Sequence, residues 1–160
     1  NANAISVCIG LIKSKDQRLC AEAARTLGVM CFDEMGKTAA LDGGAIPLLV
    51  GLLADSNPKI TKIYASLAIM AITSTVTGRI QMHSPETVSR LSALMQEEDR
   101  TLRLNVLKVI SNIAQYPPVR SLLREDAPLI TLIQRIKGNL EDTLLSKHST
   151  IALDAINWNP

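Results

Sequence analysis

The chain has 160 residues, 47% of them hydrophobic and 20% charged, which is enough apolar material to bury a core and too much for a disordered segment. Its 17 basic and 15 acidic side chains leave a net charge of +2 without a long block of one sign, so nucleic acid and anionic membrane surfaces are poor partners. Aromatic residues are limited to Phe32, Tyr64, Tyr116 and Trp158, too few for a platform on which bases stack.

The first residues, "NANAISVCIGLIKSK", are already apolar and periodic and carry no initiating Met, which reads as a segment of a longer chain. Cys8, Cys20 and Cys31 are odd in number, lack a C-x-x-C spacing and lie in apolar surroundings. Reduced, buried thiols of an intracellular protein fit that pattern better than a metal or redox site. No apolar run reaches the roughly 20 residues of a membrane span, and no signal peptide is visible, so the chain reads as soluble.

A repeat organises the chain. Leu11-Ile12 precede a polar break at Lys13 to Asp16, after which Leu19 opens a helical pattern. Leu52-Leu53 precede Asp55, Ser56, Asn57 and Pro58, and Ile60 opens the next. Leu94-Met95 precede Glu97, Glu98 and Asp99, with Leu102 following. Ile136 precedes Lys137 to Asn139, with Leu144 following. The steps are 41, 42 and 42 residues, giving four units at roughly 1–41, 42–84, 85–125 and 126–160 in one array.

Each unit pairs a short apolar helix with a longer one. In the third, Val88, Leu91, Leu94 and Met95 recur at three- and four-residue spacing, as do Leu102, Val106, Val109, Ile110 and Ile113. Pro47 and Pro128 stand near the start of the shorter helix, where a missing N–H is harmless. Ser56, Asn57 and Asp99 are cap-type residues before the longer one. Gly36 and Gly78, each followed by a basic residue (Lys37, Arg79), suit a turn that terminates it. Such a helix pair cannot cover its own apolar face, so stacked units bury a continuous core between neighbours. An all-α, right-handed superhelical rod with one concave and one convex side is expected.

The period, with "GAIPLLVGLL" followed by "SNPKITKIYASLAIMAI", resembles the armadillo repeat, and the resemblance covers essentially the whole chain. It implies a unit of three helices whose third lines a concave groove. In "LRLNVLKVISNIA", Asn112 falls where many armadillo repeats carry a groove-facing asparagine. The pattern is broken at "GRIQMHSPETVSR", which lacks the GAIP phrase, and at "KGNLEDTLLSKHST", where the polar break is loose. "AEAARTLGVM", "GKTAALDGGAIPLLVGLLAD", "RLNVLKVISNIA" and the ending "STIALDAINWNP" together resemble the C-terminal part of the armadillo proteins of the radial spoke head. That likeness implies a structural scaffold in the axoneme of motile cilia and flagella, a cytoskeletal address in the cytoplasm, and other radial spoke subunits as partners.

Moving from Asn112 by the repeat places Val29, Met70 and Asp154 at equivalent positions, and one turn earlier lie Arg25, Ser66, Lys108 and Thr150. Nuclear-import adaptors of the armadillo family carry a repeated Trp and Asn pair in this groove to hold basic peptides. Here the Trp-equivalent positions are Arg25, Ser66, Lys108 and Thr150, two of them basic, which disfavours a lysine-rich import signal and favours an acidic or mixed helical partner. Blander roles stand beside these. Arg25 and Lys108 serve equally well as solvated helix-face cations, Asn112 as a bond to the next repeat, and Met70 as groove filler. Trp158 packs a terminal cap or anchors a neighbouring protein.

Catalysis finds no foothold in the residues. His83 lies beside Ser84 and Pro85, His148 lies on the last long helix, and neither belongs to a metal-ligand spacing. There is no P-loop, G-x-S-x-G or G-x-G-x-x-G, and "DGG" at 42–44 is a turn between helices. Glu97, Glu98 and Asp99 are consecutive and point in different directions, so they form a solvated turn and not a paired-carboxylate site. The expectation is a non-enzymatic scaffold without cofactor, metal or small-molecule substrate. The other roles considered are an adaptor in signalling, junctions or transport, and the substrate-recognition region of a U-box ubiquitin ligase.

Overall fold

The computed structural model describes residues 2–159, which form eleven α-helices and no strand. They divide into two compact units, the described residues up to 81 and those from 82 onward. None of the described helices is long and apolar enough to cross a membrane.

The first unit holds α1 (Ala2–Ile12), α2 (Gln17–Met30), α3 (Glu34–Asp42), α4 (Ala45–Leu52), α5 (Lys59–Ile72) and α6 (Val76–Gln81). Helices α2 and α5 pack against each other, with α1 on α2 and α4 on α5. Ala24, Leu27, Ala65, Ala68 and Ile69 are fully buried here. The small residues let the helices approach closely: a Cβ on Gly28 would lie 3.2 Å from the Ala68 nitrogen.

The second unit holds α7 (Pro85–Gln96), α8 (Arg100–Ile113), α9 (Pro117–Glu125), α10 (Ala127–Lys137) and α11 (Thr143–Asn157). Helix α11 packs against both α8 and α10, and α7 against α8. Leu91, Leu94, Met95, Leu102, Val106, Val109, Ile110, Ile113, Leu129, Ile133, Ala152 and Ile156 are fully buried. The apolar positions read from the third unit's periodicity are therefore its core.

Most long helices are started by an aspartate. Asp16 accepts from the Arg18 and Leu19 amides at 2.9 and 3.2 Å, Asp99 from Leu102 at 2.9 Å and Asp142 from Leu145 at 3.0 Å, each satisfying amides that the first turn leaves without partners. Asp99 is the cap that the sequence suggested; Ser56 and Asn57 are not. Pro58 holds the cap position of α5 without a side-chain bond, and the Asn57 amide instead donates 3.3 Å to the Gly51 carbonyl at the end of α4.

Gly36 and Gly78 also differ from expectation. Neither terminates a long helix; they lie inside the short helices α3 and α6. A Cβ on Gly36 would overlap the Met30 carbonyl oxygen, and one on Gly78 the Ile72 carbonyl oxygen. These glycines let each short helix cross directly over the last turn of the long helix before it. The terminating turn of α3 is Gly43-Gly44, where Gly44 takes the left-handed conformation at φ 70°.

Lys37, after Gly36, donates 3.1 Å to Glu34 of its own helix, whereas the basic residue after Gly78 closes a helix end. Arg79 donates to the Thr73 and Ser74 carbonyls at 3.1 and 2.8 Å, closing the carboxyl end of α5. Arg120 does the same for α8, donating 3.2 Å to the Ala114 carbonyl. A cation on those orphan carbonyls complements the helix dipole.

All three cysteines are free and buried. Cys20 Sγ lies 3.2 Å from the Ile12 carbonyl. Burial raises all three thiols, that of Cys31 to about 11, so the neutral form holds.

Candidate partner-binding site

The residues singled out by the repeat lie on the last long helix of each repeat. In the first unit, α2 presents Arg25 and Val29 to solvent. Arg25 Nε donates 2.8 Å to Glu22 Oε2 one turn back, and both side chains remain at least half exposed. The paired helix α5 carries Met70, half-buried, and Ser66, which is buried. Ser66 therefore does not line a groove: its hydroxyl donates 2.8 Å to the Ile63 carbonyl of its own helix. The repeat step carried Ser66 onto the helix face with Arg25, but that face of α5 is covered.

In the second unit, α8 presents Lys108 and Asn112, both half-buried, and α11 presents Thr150, half-buried, and Asp154, exposed. The register between these helices is set by an ion pair of residues 42 apart: Arg100 donates from Nε and Nη2 to the two Asp142 oxygens at 2.5 and 3.1 Å. A bidentate guanidinium–carboxylate pair fixes orientation as well as distance. By the same 42-residue step, Lys108 corresponds to Thr150 and Asn112 to Asp154. Lys108 also lies close to His148, whose pKa is held down by burial first and then by the charges of Lys108 and Lys147. Thr150 donates its hydroxyl to the Ser146 carbonyl at 3.1 Å.

Beyond Asp154 the chain builds a feature that the spacing of residues did not assemble. Trp158 caps α11 and remains 55% exposed. Arg124 reaches from α9 to donate to the Ile156 carbonyl at 2.7 Å and the Trp158 carbonyl at 2.6 Å, locking the backbone. Arg120, only 6% exposed, sets its guanidinium 4.8 Å from the centre of the Trp158 ring. Gln115, Arg120, Asp154, Ala155 and Trp158 line an open surface pocket of about 430 Å³, largely apolar. The signal for Arg120 was present as the basic residue after Gly36 and Gly78. It was hidden because Val119 replaces the glycine in the third unit.

The arrangement is suited to recognition by surface. Among the described residues no group of three or more His, Cys, Asp or Glu side chains is placed to hold a metal. His83 is exposed and meets Tyr116 edge-on at 6.2 Å.

No family model and no curated protein matches the chain by sequence. Solved structures do match. A designed armadillo repeat protein in complex with the peptide (KR)4 superposes with a TM-score of 0.82 at 22% identity, over 97% of this chain and 65% of that one. Computationally designed armadillo repeat proteins for modular peptide recognition give 0.82 at 20% identity, over 96% and 64%. An engineered protein gives 0.86 at 22% identity, over 98% and 38%. The chain has the armadillo-repeat fold. The present residues span less than two thirds of the length of each of these structures. In armadillo terms, α3, α6 and α9 are the short crossing helices, α4, α7 and α10 the second helices, and α2, α5, α8 and α11 the third helices that carry the candidate residues.

Proposed function

We propose that the chain is a non-enzymatic protein-interaction scaffold whose third helices bind a segment of a partner. The observation that carries this reading is the pairing of α8 with α11, where Lys108, Asn112, Thr150 and Asp154 stand at repeat-equivalent positions with at least part of each at the surface. Polar and charged side chains on adjoining helices, with a rigid core beneath, give specificity without a reaction centre. Likeness to designed armadillo proteins, one of them bound to a peptide, supports the same reading.

Within that role, the chain is assigned to the radial spoke of the motile axoneme, as a relative of the radial spoke head 14 homolog that bridges other spoke subunits. The support is the residue resemblance alone, above all the ending "STIALDAINWNP". A second reading, an armadillo adaptor in signalling, junctions or transport, draws on the structural likeness to a peptide-bound design and needs no ciliary setting. A U-box domain elsewhere in the full-length protein would favour the ubiquitin-ligase reading instead.

An antibody to "NLEDTLLSKHST", imaged against an axonemal tubulin marker in ciliated cells, separates the first two. Staining along motile axonemes is the expected result. A nuclear, junctional or diffuse cytosolic signal overturns the spoke assignment and leaves the adaptor.

A further inference from the structure

A second recessed surface lies on the other helices of the second unit. One open pocket of about 340 Å³ runs along α7 beside Leu122 and Glu125 of α9, and another of about 400 Å³ runs along α10 to Arg135. Gln96 lines both, so they form one groove. None of the residues lining it belongs to α8 or α11. Val88 and Leu132, 4% and 5% exposed, give it an apolar floor. Ser89, Ser92 and Gln96 follow one face of α7 beside that floor, at spacings of three and four residues. Among the described residues none of these three side chains makes a hydrogen bond. Charge divides the groove: exposed Glu125 stands with Asp126 at one end and exposed Arg135 at the other. Neither Glu125 nor Arg135 forms an ion pair among the described residues.

We propose that this groove receives an extended segment of a partner protein in which a lysine or arginine stands four residues from a glutamate or aspartate, the cation toward Glu125 and the carboxylate toward Arg135. From the Asp126 cap to Arg135, α10 rises about 14 Å, and four residues of extended chain cover about 13 Å. A helix, about 10 Å wide or more, would rest on the rim, whereas extended backbone offers its N–H and C=O groups to the row of Ser89, Ser92 and Gln96. Opposite charges at the two ends also fix the direction in which the segment lies. The inference goes beyond the third-helix face, adding a second contact on different helices.

The probe is the blocked peptide Lys-Thr-Val-Thr-Glu, rich in strand-forming residues and labelled with an uncharged fluorophore, titrated with the whole chain and read by anisotropy. Saturation is expected with a Kd on the order of 0.1 mM. The same peptide with lysine, or with glutamate, at both charged positions should bind about fivefold more weakly. Arg135→Glu, at an exposed position, should reverse the preference, weakening Lys-Thr-Val-Thr-Glu by about tenfold and strengthening Lys-Thr-Val-Thr-Lys. Misfolding cannot produce that gain. The double variant Arg25→Glu, Lys108→Glu should leave the affinity unchanged. Absence of saturation, equal binding of the one-sign peptides, an unaltered preference in Arg135→Glu, or loss of binding in the double variant overturns the proposal. Self-association in sedimentation velocity that Arg135→Glu abolishes would assign the groove to a second copy and overturn it as well.

Discussion

Gly36 sits in the first turn of α3, inside a helix where glycine ordinarily costs stability relative to alanine. It is nevertheless required, because a Cβ would overlap the Met30 carbonyl oxygen, a backbone atom that cannot swing away. Gly51 in α4 is the control, with nothing within 4 Å of a built Cβ. Gly36→Ala is therefore expected to lose roughly 1–3 kcal/mol by overpacking, whereas Gly51→Ala should gain up to about 1 kcal/mol from helix propensity. Urea unfolding of the two variants checks the pair. Opposite signs are expected, and a stabilised Gly36→Ala would show that α3 does not cross α2 this closely.

At the scale of elements, helix α8 is tied to α11 by the Arg100–Asp142 pair, in which the aspartate also caps α11. The hydrogen bond from Arg100, helped by the Leu145 amide, holds the Asp142 carboxyl below its ordinary value. A carboxyl depressed in the folded state contributes stability above its unfolded pKa of about 4 and loses it as the pH falls through the folded value. The melting temperature should therefore drop on acidification below about pH 4, and less steeply for Asp142→Asn, which retains a capping oxygen but no charge. His148, whose pKa is also lowered, acts in a separate window: its protonation favours the unfolded chain as the pH falls below about 6.5. Parallel acid profiles for wild type and Asp142→Asn would show that the ion pair does not contribute to the junction of the two helices.

For the molecule as a whole, the proposed reading gives each unit its own candidate cation, Arg25 on α2 and Lys108 on α8. Arg25 is exposed with only an exposed partner in Glu22, and Lys108 is half-buried outside the apolar core, so changing them leaves the core intact. If the proposed third-helix reading holds, the double variant Arg25→Glu, Lys108→Glu is expected to weaken capture of the partner protein by tenfold or more, on the order of 1.4 kcal/mol, with an unchanged circular dichroism spectrum. Unchanged binding would remove the third-helix face as the interface.

Much of this architecture was legible in the residues because it depends on local periodicity. Val88, Leu91 and Leu94, then Leu102, Val106 and Val109, mark two amphipathic helices whatever surrounds them, and Asp99 before a helical run is a cap by its chemistry alone. The 42-residue step likewise identified the stacked fold and placed Lys108, Asn112, Thr150 and Asp154 on matching helices. Tertiary structure decided what spacing cannot carry. It buried Ser66 on a face that the repeat step equated with exposed Arg25, because burial depends on which neighbour lies across a helix. It turned Gly36 and Gly78 from turn residues into crossing points, because a close backbone approach belongs to two elements at once. It also brought Arg120 of α9 against Asp154 of α11 and the capping Trp158 around one open pocket, which only the packing of the second unit assembles.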